Sequence, residues 1–284
     1  MIYVLYHGNC YDGFGSAFSA WKKFGDTAKY KAVSYGQPFP RDFLDELNSV
    51  VFILDFSYPK DEMLYWADFY KFIVLDHHKT AQANFEGLFH PNIEANFDMT
   101  KSGARLSWEY FHGKPSIEQL EKEIGQWIIL PDGSAVPKLI AHIEDRDLWK
   151  FELDRSKEIH KSLVSYPMDF KLWDTFDVEK LKIEGVALER LYTQLVDNIC
   201  GASWKGNLGK HIDVPMVNTS IAWSEVGHAL LQKYQDAKFV ASFTEFEKET
   251  MWSLRSREDF DCSEIAKEFG GGGHKQASGF KVKR

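Results

Sequence analysis

The sequence predicts a two-domain α/β protein: a parallel, doubly wound sheet at the amino end, a helical connector, and a smaller α/β domain at the carboxyl end. Three observations lead there. Short runs of large and β-branched residues, such as Phe72-Ile-Val-Leu75 and Val50-Val-Phe-Ile-Leu54, stop abruptly at charged residues, as strands buried on both faces do. Helical segments separate these runs, which implies crossover connections and parallel pairing. The chain has 284 residues, 44% of them hydrophobic, enough to bury a substantial core and to fill two ordinary domains.

Taken in order, Ile2 to Tyr6 reads as the first strand and runs directly into His7-Gly-Asn-Cys-Tyr-Asp-Gly-Phe-Gly-Ser16. The glycines permit tight turns, and Ser16 to Lys23 has helical spacing, so His7 and Asp12 are expected in a strand-to-helix loop. Taken alone, a glycine-rich turn with incidental polar residues explains this stretch equally well. Tyr30 to Ser34 follows as a strand, Pro40 to Leu47 as a helix, Val50 to Asp55 as a third strand and Lys60 to Ala67 as a crossover helix. The next strand, Lys71 to Leu75, ends in Asp76-His77-His78. The carboxyl ends of parallel strands are where open α/β sheets bind ligands. Two neighbouring strands that each end in Asp bring carboxylates together, and a cation relieves their repulsion best. Oxygen donors mixed with imidazole point to Mn²⁺, with Mg²⁺ or Co²⁺ as alternatives.

Phe97 to Ala104 leads into a helix over Arg105 to Phe111, capped by Ser102 or Thr100. Its Ser- and Gly-rich start has amides suited to a phosphate, although plain capping is the commoner reason for such residues. Ser116 to Leu130 and Val136 to His142 are expected helices, the second running into Glu144-Asp-Arg-Asp-Leu-Trp149, where carboxylates ordinarily mark a solvated end. Val178 to Ile199 carries Leu181, Val186, Leu188, Leu191, Leu195 and Ile199 at roughly helical spacing and reads as a connecting helix. Gly201 to Gly209 is the expected linker. The expected division is therefore 1–177, a connector at 178–209, and 210–284. In the last part, His211 to Val217, Phe239 to Phe246 and Thr250 to Arg255 read as strands, and Ser224 to Tyr234 and Ser263 to Phe269 as helices. The chain closes on Gly270-Gly-Gly-Gly-His-Lys-Gln-Ala-Ser-Gly-Phe280, where a glycine loop after a helix lets backbone amides approach an anion closely.

Composition excludes several classes. A formal net charge of -8 argues against loose grip on a long duplex, which calls for a basic surface. Cys10, Cys200 and Cys262 are odd in number and widely spaced, so neither a disulfide framework nor a structural zinc site is expected. The amino terminus lacks a basic lead and a long apolar run, and no other run reaches membrane-spanning length. A reducing cytoplasm and no membrane partner are the expectation.

The Asp76-His77-His78 triplet, the loop from His7, the segments Ser253-Leu-Arg-Ser256 and Ile265-Ala266, and the terminal glycine run occur in one order from His7 to Phe280. In that order they resemble the DHH phosphoesterase superfamily with its DHH-associated C-terminal domain, as in RecJ-like and nano-RNase-like phosphodiesterases. The resemblance implies a two-metal centre on the first domain and a substrate-binding second domain. It makes His7, Asp12, Asp55, His77 and Asp145 metal ligands, Asp55 bridging two Mn²⁺ ions. Asp76, His77 and His78 become the catalytic triplet, and Arg255, Ser256, Gly272, Gly273 and His274 substrate contacts. One position departs from the pattern: Cys10 stands where the family has an earlier Asp, in a loop one residue shorter, and a thiolate is a softer ligand than a carboxylate. The implied activity is hydrolysis of short oligonucleotides or of linear or cyclic dinucleotides by metal-activated water. A polyphosphate or pyrophosphate hydrolase and a non-catalytic nucleotide binder are the alternatives. A homodimer is compatible with all three.

Overall fold

The computed structural model describes residues 1–122 and 125–284. The chain divides into two compact units, Met1–Leu188 and Glu189–Arg284, the division falling inside one long helix.

The first unit contains, in order, β1 (Ile2–His7), α1 (Tyr11–Phe24), β2 (Lys29–Val33), β3 (Val50–Leu54), α2 (Lys60–Ala67), β4 (Lys71–Asp76), α3 (Lys79–Phe85), β5 (Ile93–Phe97), α4 (Gly103–His112), α5 (Ile117–Lys122), β6 (Trp127–Ile129), β7 (Ala135–Pro137), α6 (Lys138–Asp147), α7 (Ser156–Val164) and α8 (Phe170–Trp173). The helix α9 (Val178–Gly201) follows. The five long strands form one sheet in the order β2-β1-β3-β4-β5, and every neighbouring pair is parallel. Because successive side chains alternate across a strand, each apolar run serves two cores. Tyr3, Leu5, Val51, Ile53, Phe72 and Val74 pack with Met63 and Ala67 of α2, while Val4, Phe52, Leu54, Ile73 and Leu75 pack with Ala17 and Ala20 of α1 and Phe111 of α4. Burying one such side chain stabilises the fold by about 1.5–3 kcal/mol.

The second unit adds β8 (Trp204–Leu208), β9 (His211–Asn218), α10 (Trp223–Lys233), β10 (Phe239–Glu245), β11 (Glu249–Ser256), α11 (Cys262–Glu268), β12 (Gly272–Gly273) and β13 (Ala277–Lys283). They form a six-stranded mixed sheet in the order β12-β13-β11-β10-β9-β8, parallel only between β9 and β10. No helix among the described residues is long and apolar enough to cross a membrane.

Several local expectations are corrected. Residues 40–47 form turns rather than a helix; Phe39 and Leu44 instead tuck individually into the core of the sheet's α2 face. Of the helix expected over Ser116–Leu130, only Ile117–Lys122 is helical among the described residues. Glu123 and Ile124 lie outside them, and Trp127–Ile129 pairs with Ala135–Pro137 as a hairpin. Helix α6 begins at Lys138, after Pro137, and runs five residues beyond His142. The expected linker at 201–209 is largely strand β8, paired antiparallel with β9. Of its glycines, Gly201 ends α9, Gly206 lies in this irregular edge strand, with a register shift between Gly206 and Leu208, and Gly209 follows it.

Candidate metal centre

Strand order reverses between β1 and β3, since the chain leaves β1 for β2 on one side and β3 for β4 and β5 on the other. A crevice for ligands opens at the carboxyl ends of strands at such a point. His7 ends β1, Asp55 follows β3, and Asp76 ends β4. Asp55 has φ +62°, a left-handed backbone that costs about 1 kcal/mol or more and persists where the surroundings fix it. Its amide donates to the Leu75 carbonyl of the neighbouring strand at 2.9 Å.

Side chains converge on Asp55. Its Oδ2 lies 3.2 Å from His7 Nδ1 and its Oδ1 3.0 Å from His77 Nε2. The same His77 nitrogen lies 3.4 Å from Asp12 Oδ2 and 3.7 Å from Asp147 Oδ2. Asp12, Asp55, Asp76 and His77 are all buried, none more than 2% exposed. Asp76 Oδ1 accepts from the amides of His77 and His78 at 2.7 and 3.2 Å and meets His78 Nδ1 at 2.7 Å, which orients that imidazole. Asp76 Oδ2 is buried with no hydrogen-bond partner among the described residues.

Burial sets the electrostatics. It pushes the Asp12 carboxyl well above the usual range, helped by the Asp55 and Asp147 carboxylates. Burial also acts upward on Asp55, but the hydrogen bonds from His7 and His77 outweigh it and hold Asp55 well below that range. For His7 and His77 burial disfavours the imidazolium, yet their bonds to Asp55 leave both raised well above an ordinary imidazole. The Cys10 thiol is pushed up by burial and by Asp55, against the pull of its hydrogen bond to His7.

The donor set fits divalent cations. Three groups of donor atoms, each group within 4.8 Å of one another, all include Asp55: His7 with Cys10, Asp12 with His77, and Asp76 with His78. Ligands around one ion with bonds of about 2.0–2.2 Å lie roughly 3–4 Å apart, so little movement is needed. The orphaned Asp76 oxygen is open to a further partner such as a cation, since a buried unpaired carboxylate oxygen is costly.

Local sequence explains most placements. Helix α1 begins at Tyr11 with Cys10 as its N-cap residue, so Asp12 sits in the first helical turn and not in a loop. Its Oδ2 accepts from the Gly103 amide at 2.6 Å and its Oδ1 from the Ala104 amide at 2.9 Å. The start of α4, read from sequence as a phosphate site or a plain cap, is therefore capped by Ser102, which accepts from the Arg105 amide, and otherwise filled by Asp12. Gly103 makes this approach possible: a Cβ there would lie 2.7 Å from Asp55 Cβ and 3.0 Å from Asp12 Oδ2.

On α6 the structure sets Asp147 beside His77 and turns Asp145 away. Asp145 accepts from the amides of Glu152 and Leu153 at 2.8 and 3.1 Å and from the Ser156 hydroxyl, whose oxygen lies 2.8 Å from His142 Nδ1. Residues two apart on a helix point about 200° apart, so only one of the two can face the crevice. Asp147 continues the buried stripe of Ile140 and Ile143, a signal visible in the sequence. Glu144, one turn before Asp147, pairs with Arg105 at 2.9 Å and accepts from the Ser102 amide at 3.1 Å. Gly103, Asp147 and Tyr35, whose ring lies 5.1 Å from that of His7 and 5.8 Å from that of His78, are the residues sequence reasoning missed.

In the second unit, Arg255 donates from Nη1 to the Leu254 carbonyl at 2.8 Å and to Ser253 Oγ at 3.1 Å, and from Nη2 to Ser224 Oγ at 2.7 Å. Ser256, expected beside it as a substrate contact, is buried, with its hydroxyl shared between the Phe260 and Lys275 carbonyls. The glycine run is a closed hairpin, not an open loop: Gly272 and Gly273 pair with Gly279 and Ser278, and the His274 amide donates to the Ala277 carbonyl at 2.8 Å.

Comparison with known proteins agrees with this architecture. Residues 210–284 match the DHHA1 domain family. Over 97% of its length the chain is 32% identical to uncharacterized protein R106 of Acanthamoeba polyphaga mimivirus, and it spans 66% of that relative. A DHH domain from a member of a family of ribosomal proteins shares 13% identity at a TM-score of 0.54, covering 99% of this chain and 82% of that one. RecJ from Thermus thermophilus, solved in complex with Mn²⁺, shares 15% identity at a TM-score of 0.51 over 98% of this chain and 49% of its own. At these identities the two structures are alike in fold.

Proposed function

Residues 210–284 match the DHHA1 domain, and from this we propose that the chain is a DHH-superfamily protein and a metal-dependent phosphodiesterase acting on short oligonucleotides or on linear or cyclic dinucleotides. The observation that carries the reading is Asp55, one buried carboxylate common to three donor groups at the switch point of a parallel sheet. Two divalent cations held there would supply Lewis acidity to the phosphoryl oxygens and an acidified water. His7, Asp55, Asp12, His77 and Asp147 would hold them, Asp55 serving both. Asp76 fixes the His78 ring, which would present that imidazole to the scissile phosphate. No nucleophile from the protein is required, so no covalent intermediate is expected.

The mixture of oxygen and imidazole donors favours Mn²⁺. The net charge of -8 favours short substrates held at a few points over long duplexes. Arg255 and the hairpin of Gly272, Gly273 and His274 would hold the nucleotide end. Purified protein with Mn²⁺ is tested against the dinucleotide pApA, a cyclic dinucleotide and polyphosphate. Release of mononucleotide from pApA, abolished by EDTA and restored best by Mn²⁺, is the expected result. Full turnover after exhaustive chelation sinks the proposal, and cleavage of polyphosphate alone replaces it with a phosphoanhydride hydrolase.

A further inference from the structure

The donor groups that share Asp55 differ in chemical softness. On one side stand His7, Cys10 and Asp55, with the thiol sulfur, an imidazole nitrogen and a carboxylate oxygen within 4.8 Å of one another. Cys10 reaches this position because it is the N-cap residue of α1: its extended backbone (φ -128°, ψ 133°) makes no side-chain cap bond, and its carbonyl accepts from the Phe14 amide at 2.9 Å. On the other side stand Asp12, Asp55 and His77, with Asp147 3.7 Å from the His77 nitrogen. That side has three carboxylates, one imidazole and no sulfur. The buried, partnerless Asp76 Oδ2, whose residue groups with Asp55 and His78, is an independent sign that this edge is built for cations.

Thiolate and imidazole together suit zinc-class ions, whereas carboxylates suit Mn²⁺ and Mg²⁺. Three protein ligands of the Cys, His and carboxylate types with an open position is also the composition of catalytic zinc sites. We propose that the centre is heterometallic: a Zn²⁺-class ion on His7, Cys10 and Asp55, and a Mn²⁺-class ion on Asp12, Asp55, His77 and Asp147. This rests on the reading of the site as a two-metal centre and adds which ion each half takes. On zinc binding the Cys10 S–H bond breaks, the sulfur keeps the electron pair as the ligand, and the proton passes to solvent.

The test uses full-length protein stripped of metal by chelator dialysis, with Cys10→Ser and Cys10→Asp beside the wild type. Both substitutions place a favoured residue at a helix N-cap, so both variants fold, as circular dichroism checks. With one equivalent of Co²⁺ the wild type gives a near-ultraviolet thiolate-to-cobalt charge-transfer band, and both variants lack it. Given one equivalent of Zn²⁺ and a large excess of Mn²⁺, which offsets the generally higher affinity of Zn²⁺, the wild type retains one of each by elemental analysis, while Cys10→Asp retains less zinc and correspondingly more manganese. Zinc affinity in Cys10→Ser falls by at least ~100-fold, the upper end for loss of a mere outer-shell partner. Absence of the band, or identical metal content in the wild type and Cys10→Asp, overturns the proposal. These readouts need no substrate, so failure to hydrolyse a phosphodiester while the band is present counts against the proposed activity and not against the mixed centre.

Discussion

The two units use buried polar groups in opposite ways. At the edge of the parallel sheet, Asp12, Asp55, Asp76 and His77 are crowded out of water with mutually opposed charges and an oxygen left without a partner. In the second unit, several polar groups close on the chain itself: buried Ser278 Oγ donates to the Cys262 carbonyl at 2.9 Å, buried Ser256 is taken by two carbonyls, and half-buried Asp261 caps α11 by accepting from the Ser263 amide at 3.0 Å. The first arrangement leaves a cluster of carboxylates that a cation would complete, while these groups of the second unit find their partners within the chain. A parallel sheet leaves strand ends open where its connections diverge, whereas hairpins of an antiparallel sheet seal their own ends. Charge chemistry therefore belongs to the first unit, and shape to the second.

The largest effect expected from this contrast is that of Asp55→Ala. It removes the one group common to all three donor sets, so bound metal and turnover should fall together, with kcat/KM lower by about 10³-fold or more, a loss of several kcal/mol of metal-dependent stabilisation. Elemental analysis beside steady-state kinetics checks it, and retention of a full metal complement would count against the shared role of Asp55.

Next comes a pair of matched insertions. Gly103→Ala drives a methyl group into Asp55 and Asp12, and should lower metal content and activity by roughly 10²-fold. Gly271→Ala drives a methyl group to 2.1 Å from the Gly279 carbonyl, and should cost about 1–3 kcal/mol of stability with metal content unchanged. Metal analysis and thermal melts of both variants separate the two kinds of damage.

Acid should act through the first unit. His142 is buried against the Ser156 hydroxyl and its imidazole is pushed down to about 4, by burial first and by Lys182 second. An unfolded imidazole takes up a proton near pH 6.5, so in this window the unfolded state binds more protons. The contribution of neutral His142 is thus complete above pH 6.5 and is lost as pH falls from 6.5 towards 4. Melting at pH 6.5 and 5 should show a loss of about 1–2 kcal/mol from this group, which His142→Gln should abolish. The buried hydroxyls of the second unit do not titrate in this range.

Ser256→Ala should have the smallest effect, about 1 kcal/mol of stability from the lost hydroxyl bond, with nucleotide KM and metal content unchanged. A raised KM would instead support Ser256 as a substrate contact despite its buried hydroxyl.

The strands of the parallel sheet were legible because burial on both faces leaves continuous apolar runs, and a run that stops at Asp55 or at Asp76-His77-His78 announces its own functional end. Residues 123 and 124 apart, the segments that misled were those where local composition and tertiary role part. Residues 40–47 have helix-compatible composition yet serve as separate core plugs, and the glycines at 201, 206 and 209 suggest a linker where a strand pairs.

The amino-acid order alone carries the α/β class, the candidate donors His7, Asp12, Asp55, Asp76 and His77 that the structure brings together, and the glycine-rich carboxyl end, since each depends on spacing along a few residues. Folding decided the rest. Helix phase sends Asp147 inward and ties Asp145 to its own following loop. The start of α4, brought against Asp12 from 91 residues away, makes Gly103 indispensable and spends the helix amides on a carboxylate. Such roles come from contacts between distant segments, whose geometry no local pattern encodes, because a side chain's partners are set by the packing of the elements that carry it.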